Sequence, residues 1–119
     1  MKKIEAVIRE ERLPLVIAAL EELDRKLPPA GYPGITISSV RGHGRQKGVK
    51  QVYRTTEVKV DFLPKVKLEI IARDSECDQI IQSIVDNART GAVGDGKIWV
   101  SSIDSLLRVR TGEAGEEAL

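Results

Sequence analysis

The chain has 119 residues, of which 41% are hydrophobic and 31% are charged, values typical of one globular domain with a real core. Its formal net charge of +1 gives no electrostatic basis for binding nucleic acid or an anionic membrane. The single cysteine excludes an internal disulfide framework and favours a reducing compartment. No run approaches the roughly twenty apolar residues that span a bilayer. We therefore expect one cytoplasmic domain over residues 1–119 without direct membrane insertion.

The first third of the chain predicts two strands around one helix. Charged and apolar residues alternate over Lys2–Arg9, which indicates a strand. Apolar residues then recur at helical spacing over Pro14–Lys26, with the proline suited to a first helical turn. The prolines and glycines of 27–34 predict a loop, and β-branched residues over Ile35–Val40 predict the second strand.

The middle of the chain predicts a long loop, a third strand and a second helix. Segment 44–58 has no clear periodicity, and a loop of this length in a compact domain is usually functional. Val58–Phe62 alternates and Val66–Ala72 is strongly β-prone, which predicts the third strand, with Pro64 between the two stretches as a bulge or kink. Ser75 is predicted to start a helix that runs to Ala88, and Cys77 then falls on its apolar face as a buried thiol.

The last part of the chain predicts a strand at Ile98–Ile103, a short helical turn at Ser105–Leu107 and an extended piece at Arg108–Arg110. The tail, residues 111–119, is expected to be loosely held. The element order is that of an α+β, ferredoxin-like βαββαβ domain with a long loop between strands 2 and 3. Such a sheet leaves one face without helices. Five apolar strand residues predict association through that face: Val58, Val60, Val66, Leu68 and Ile70.

A glycine-rich stretch, TGAVGDGKIW, lies between the second helix and the last strand. Glycines let backbone N–H groups approach a ligand, and a turn of such groups with Lys97 suits a phosphate. It is not a Walker loop, because Ile98 stands where that motif needs Ser or Thr. The alternative interpretation is a tight helix-to-strand connection with a charged tip.

No catalytic constellation is evident in the sequence. His43, the only histidine, is interpreted as a loop residue, so we expect neither a Ser-His-Asp triad nor a histidine-based zinc cluster, and the carboxylates are scattered. Three pairs of basic residues could instead bind an anion, or could be ordinary solvated charges: Arg45 with Lys47, Lys65 with Lys67, and Arg108 with Arg110. If Arg108–Arg110 is extended, both of its guanidinium groups lie on one face.

Five stretches carry a resemblance to a known family: MKKIEAVIR, GHGRQKG, DFLPKVKLEI, TGAVGDGKIWV and RVRTGE. In this order they cover nearly the whole chain, which resembles the PII signal-transduction proteins of nitrogen metabolism. The resemblance implies a ferredoxin-like homotrimer with nucleotide sites in the clefts between subunits. Members bind ATP or ADP competitively, and they bind 2-oxoglutarate through a Mg²⁺ ion held by ATP phosphates and a loop glutamine.

The resemblance also assigns roles to individual residues. Nine match the nucleotide site: Thr36, Gly42, Glu69, Gly94, Asp95, Gly96, Lys97, Arg108 and Arg110. The Mg²⁺ ligand is Gln46, and 2-oxoglutarate is assigned to Gln46, Lys47 and Lys65.

Segment 44–58 corresponds to the T-loop, through which the family docks onto partners such as an ammonium transporter or a nitrogen-metabolism enzyme. Tyr53 and Arg54 match its partner-binding residues. The family's nucleotidylated tyrosine falls on Val58, so that modification is excluded here, and Thr56 aligns with a serine that some members phosphorylate.

The resulting hypothesis is a non-enzymatic regulator that senses ATP/ADP and 2-oxoglutarate and controls partner proteins through its T-loop. One alternative is a divergent PII-like regulator with the same nucleotide site and another effector, in metal, carbon or nitrogenase control. A small phosphate-ester or acyl-phosphate hydrolase lacks a positioned base or nucleophile, and an RNA-binding module lacks stacking aromatic residues.

Overall fold

The computed structural model describes residues 1–27, 34–44, 50–53, 56–59 and 62–119. It contains six strands, two α-helices and two short 3₁₀ helices. The strands are β1 (Lys2–Arg9), β2 (Thr36–Gly42), β3 (Lys50–Tyr53), β4 (Thr56–Lys59), β5 (Leu63–Ala72) and β6 (Gly96–Ser102). The helices are α1 (Leu13–Lys26) and α2 (Asp74–Ala88), and the 3₁₀ helices are Glu10–Arg12 and Gly115–Ala118.

Four strands form one antiparallel sheet in the order β2-β5-β1-β6. With α1 and α2 on one face, this is the predicted ferredoxin-like α+β fold. β3 and β4 pair with each other as a separate hairpin, so the segment predicted as an irregular T-loop contains regular structure.

β5 begins at Leu63 and continues through Pro64, whereas residues 56–59, at the start of the predicted third strand, belong to the separate strand β4. Pro64 lies opposite Arg41 of β2. The pairing with β1 begins only at the next residue, where Lys65 lies opposite Arg9. At Pro64, β5 therefore has a neighbour on one side only, and a missing N–H is tolerated at such a position.

The core lies between the two helices and one face of the sheet. Ile4, Ala6 and Ile8 of β1 lie opposite Ile70, Leu68 and Val66 of β5, and all six are buried. Buried residues of the helices cover them: Val16, Leu20, Cys77, Ile80, Ile84 and Ala88. The predicted burial of Cys77 is confirmed, and burial raises the pKa of its thiol.

Both helices begin near their predicted positions. α1 carries its proline in the first turn. α2 begins at Asp74, with Arg73 as N-cap and no side-chain capping bond. The prediction that Ser75 starts the helix, as the first residue of a weak capping box with Asp78, is therefore wrong. Acidic residues in its first turn, Asp74 and Glu76, suit the positive end of the helix dipole. Within the described part of the chain, neither helix combines the length and the apolarity that a membrane crossing needs.

The face of the sheet opposite the helices, called the charged face below, carries charged side chains at its centre, and the prediction that Val66, Leu68 and Ile70 lie on it is wrong. Of the other two residues in that prediction, Val60 and the side chain of Val58 lie outside the part of the chain that the structure describes. Val66, Leu68 and Ile70 all point into the core, because alternate residues of a strand face opposite sides. At the centre of the charged face, the nearly buried carboxylate of Glu5 binds Lys3 Nζ at 2.9 Å and Lys67 Nζ at 2.8 Å. Lys67 also lies 5.9 Å from the centroid of the Trp99 ring, within the range of a cation–π contact.

Truncating a core leucine tests the packing of α1. Leu20 is fully buried and Leu15 on the same helix is 48% exposed. Leu20→Ala should lower the free energy of unfolding by about 2–5 kcal/mol, because it leaves a cavity against the sheet. Leu15→Ala, the matched control, should lower it by less than about 1 kcal/mol. Urea titrations at one protein concentration measure both, and equal losses would contradict the assigned core.

The Glu5 ion pairs predict a pH dependence of stability. Hydrogen bonds from Lys67 and Lys3 lower the pKa of Glu5 from 4.5 to about 2. Its carboxylate therefore stabilises the fold fully above pH 4.5, and this stabilisation is lost as the pH falls towards 2. The difference in free energy of unfolding between wild type and Glu5→Gln should shrink over that range. Glu21→Gln, an exposed glutamate on α1, controls for net charge, and a constant difference between wild type and Glu5→Gln would contradict the assignment.

Candidate functional site

The glycine-rich segment between α2 and β6 is a closed loop built around one carboxylate. Asp95 Oδ1 accepts hydrogen bonds from Thr90 Oγ1 at 2.5 Å and from Arg9 Nε at 2.9 Å. Its Oδ2 accepts from the N–H groups of Thr90 at 2.8 Å and Gly91 at 2.9 Å. These bonds favour the ionised form and hold the pKa of Asp95 well below its usual range. The carboxylate therefore closes the loop on itself.

Two cations from the sheet hold main-chain carbonyl groups of the same loop. Arg9 Nη2 donates to Val93 O at 2.8 Å, and Lys65 Nζ donates to Gly94 O at 2.7 Å. Arg9 is the last residue of β1, and Lys65 lies opposite it on β5. Desolvation, followed by the nearby positive charge of Arg9, lowers the pKa of Lys65. The loop is thus attached to the two central strands.

The backbone conformation of the loop requires glycine at three positions. Gly91, Gly94 and Gly96 have φ values of +90°, +104° and +101°, a region that side-chain-bearing residues rarely adopt. At Gly96 a Cβ atom would also lie 1.7 Å from Val7 O. The glycine spacing in the sequence predicted a glycine-dependent turn here. The close contact with β1 follows only from the pairing of Gly96 with Ile8.

A cleft of about 640 Å³ opens beside this loop. It brings together six residues of the predicted ligand sites: Gly42, Lys65, Gly94, Asp95, Gly96 and Lys97. Seven further residues line it: Val7, His43, Gly44, Leu63, Ala92, Val93 and Trp99. The His43 and Phe62 rings lie near the cleft with centroids 5.2 Å apart. Glycine amide groups, lysines and apolar walls in one cleft suit a ligand with an anionic end and a flat apolar end.

The other predicted nucleotide residues do not line this cleft. Thr36 and Glu69 lie opposite each other on β2 and β5. They are about 20 Å from Gly42 along β2, at roughly 3.3 Å per residue. Glu69 contacts Lys67 at 3.4 Å on the charged face. The predicted site is therefore divided between two places on one chain.

Arg108 is held by the C-terminal segment. Its Nη1 contacts Glu113 Oε1 at 2.8 Å, and its Nη2 donates to the main-chain oxygens of Glu117 and Leu119 at 3.0 and 2.8 Å. Main-chain bonds of Arg108 to Glu113 and Gly112 close the segment. The prediction of a loosely held tail is wrong to this extent: residues 113–119 fold back on residues 106–108, and Arg108 supplies most of the contacts.

The predicted extended conformation of Arg108–Arg110 is also wrong. Residues 109–111 form a turn, closed by the bond from Gly112 N to Arg108 O at 2.8 Å. Gly112, with φ of +74°, permits the reversal. Leu107 pairs with Ala114 as an isolated bridge, so the predicted helical turn at Ser105–Leu107 is absent as well. The two arginines do not share one face of a strand.

Three predicted residues, Gln46, Lys47 and Arg54, lie outside the described residues. Tyr53 ends β3 and pairs with Thr56 at the start of β4. Their backbones form the closed end of the hairpin.

Arg9 belongs to this site, although no pattern in the sequence marked it as a site residue. A strand ending in arginine is unremarkable by itself, since surface charges are common. Its partners are more than eighty residues away in the chain. The predicted fold did contain an indication of this contact. In a ferredoxin-like sheet the first strand is central, and its end lies beside the start of the last strand.

Alanine substitutions at two glycines separate conformational cost from steric clash. Gly96→Ala should lower the free energy of unfolding by more than about 2 kcal/mol, since a Cβ meets Val7 O in addition to the unfavourable φ. Gly91→Ala has open space around the Cβ and should cost about 1 kcal/mol. Urea unfolding followed by the fluorescence of Trp99 measures both. Equal costs would contradict the close packing of Gly96 on β1.

Comparison with known proteins agrees with this architecture. The family model for "Nitrogen regulatory protein P-II" matches residues 1–113. Proteins named Nitrogen regulatory protein P-II from Rhodobacter capsulatus and Haemophilus influenzae are 49% and 47% identical over 119 residues, covering the whole of both chains in each pair. "Nitrogen regulatory protein P-II 2" of Methanothermobacter thermautotrophicus is 44% identical over all of this chain and 97% of its own length. The chain belongs to the P-II family of nitrogen regulatory proteins.

Proposed function

We propose that this chain is a non-enzymatic, cytoplasmic sensor of ATP, ADP and 2-oxoglutarate that regulates partner proteins through its T-loop. The observation that carries the proposal is the cleft in which the glycine loop faces Gly42, Lys65 and Lys97. Family membership supports a regulatory role in nitrogen metabolism.

The loop suits the phosphate groups of a nucleotide through its backbone and through Lys97. Backbone N–H groups of a glycine-rich turn attract an anion, and a lysine adds a point charge. The Asp95 carboxylate has its oxygens occupied inside the loop. Asp95 therefore contributes to nucleotide binding through its main chain and by shaping the loop.

We infer that the active form is a homotrimer in which neighbouring subunits complete each site. Thr36, Glu69, Arg108 and Arg110 do not line the cleft of their own chain. If they act on the nucleotide, they act from an adjacent subunit, on the opposite side of an intersubunit cleft. Arg108 would then exchange its contacts with Glu113 and the tail for phosphate oxygens.

Gln46 would supply a neutral oxygen to Mg²⁺ beside the nucleotide phosphates, a donor set that suits this hard cation. Lys65, which lines the cleft and holds Gly94 O, would pair with a carboxylate of 2-oxoglutarate, with Lys47 beside it. Effector binding would thus act next to residues 45–49. Since the T-loop begins there, its conformation would follow the ligands, as in an order–disorder switch.

The β3–β4 hairpin belongs to the segment that would contact partners, such as an ammonium transporter or a nitrogen-metabolism enzyme. Tyr53 and Arg54 are the proposed contact residues, and Thr56 is a candidate for phosphorylation. Because Val58 occupies the position of the modifiable tyrosine, control would not depend on nucleotidylation there. Loss of that tyrosine favours a branch of the family without the usual nucleotidylation cascade. The second candidate is a divergent P-II regulator with the same nucleotide site and a different effector.

Calorimetric titration of 2-oxoglutarate, with and without ATP and Mg²⁺, tests the proposal. Binding should require both, and Gln46→Ala should abolish it while ATP affinity changes by less than about threefold, since one neutral ligand contributes little to nucleotide binding. Gln51→Ala, in β3, is the matched control and should bind both ligands like the wild type. ATP binding without any response to 2-oxoglutarate would favour the divergent regulator, and absence of ATP binding would refute both.

A further inference from the structure

We propose that Arg9 is a positioning residue for the phosphate-binding loop, and that it acts by clamping the loop to the end of β1 without contacting the ligand. The inference rests on the proposed function for the identity of the ligand, a nucleotide phosphate. The clamp itself is a property of the ligand-free chain.

The geometry of the clamp is a two-point attachment. Arg9 Nε contacts Asp95 Oδ1 at 2.9 Å, and Nη2 of the same guanidinium donates to Val93 O at 2.8 Å. The Arg9 side chain is 14% exposed and the Asp95 side chain 23% exposed. Both are therefore partly shielded from water, where an ion pair is stronger than at the open surface.

Asp95 connects Arg9 to the first residues of the loop. The oxygen that contacts Arg9 also accepts from Thr90 Oγ1, and the other oxygen accepts from the N–H groups of Thr90 and Gly91. Thr90 Oγ1 in turn accepts from Ala92 N at 3.2 Å. One arginine thus orders the loop from Thr90 to Asp95.

The contact with Val93 O sets the direction of a ligand-binding amide. In a trans peptide the C=O and the following N–H point in opposite directions, and the described chain contains no cis peptide. With Val93 O turned towards Arg9, the N–H of Gly94 points away from it. Val93 and Gly94 line the cleft, whereas Arg9 does not. Arg9 therefore orients the loop from outside the cleft.

A lysine at this position could not reproduce the clamp. The planar guanidinium presents several N–H donors in a fixed fork, whereas an ammonium on a flexible chain is a single point of contact. Lys65 already shows the simpler arrangement, with its Nζ on Gly94 O. Arg9→Lys should therefore recover only part of the function lost in Arg9→Met.

The test compares ATP affinities of four variants by calorimetry. Arg9→Met and Asp95→Asn should each weaken ATP binding about tenfold or more, the scale of a lost charged hydrogen bond. The double variant should be no weaker than the poorer single variant, because both changes break one clamp. Arg25→Met, which removes an exposed arginine from α1, is the matched control and should bind like the wild type.

Asp95→Asn distinguishes a clamp from direct phosphate contact. If Arg9 bound phosphate itself, removing the negative charge beside it would strengthen ATP binding or leave it unchanged. That result, or independent and additive losses in the double variant, would overturn the proposal. If Arg9→Met fails to fold, Thr90→Val interrupts the same network and should weaken ATP binding in the same direction.

Hydrogen exchange in the absence of nucleotide tests the clamp separately from the proposed function. In Arg9→Met the Thr90 and Gly91 amides should exchange about tenfold faster, while core amides of β5 keep their rates. Arg9→Lys should give an intermediate rate. Unchanged loop exchange would refute the clamp, whereas faster exchange in a chain that does not bind ATP would refute only the proposed function.

Discussion

The structure depends on the alternation of residues along β1, the strand between β5 and β6. Its even-numbered residues, Ile4, Ala6 and Ile8, are fully buried against the helices. Its odd-numbered residues face the other way and organise the charged face and the cleft. Glu5 joins two lysines, Val7 lines the cleft, and Arg9 holds the glycine loop. One strand therefore connects the hydrophobic core to the candidate site, and a register shift would exchange the two roles.

The same strand anchors the glycine loop. Loops that bind ligands are often mobile, because they make few buried contacts. Here the loop has an internal carboxylate, two cations from the central strands and a glycine packed on Val7 O. These contacts prearrange the backbone, so less ordering would be needed when a ligand binds.

Arg108, in the C-terminal segment, has one observed role and one proposed role. Arg108 holds the tail through Glu113 and two main-chain oxygens, although the family resemblance assigns it to nucleotide phosphates. Both roles use the same guanidinium donors, so they would compete. In the proposed trimer, nucleotide binding would therefore be linked to the position of the tail, since a ligand favours the state in which Arg108 is available.

Local patterns in the sequence determined the main elements of the fold. Alternation predicted β1, helical spacing predicted α1 and α2, and glycines predicted the turn before β6, because these features depend on neighbours within a few residues. The five family stretches likewise predicted family membership, which the comparisons confirm. Short-range chemistry was sufficient for these conclusions.

Tertiary structure alone decided the roles of residues whose partners are distant in the chain. The second neighbour of β5 starts only after Pro64, which keeps the strand continuous. Val66, Leu68 and Ile70 turned out to belong to the core because the helices cover their side of the sheet. Arg9 and Asp95 meet only when the first and last strands of the sheet pair. No local pattern encodes that contact, because it is created by a long-range pairing of strands.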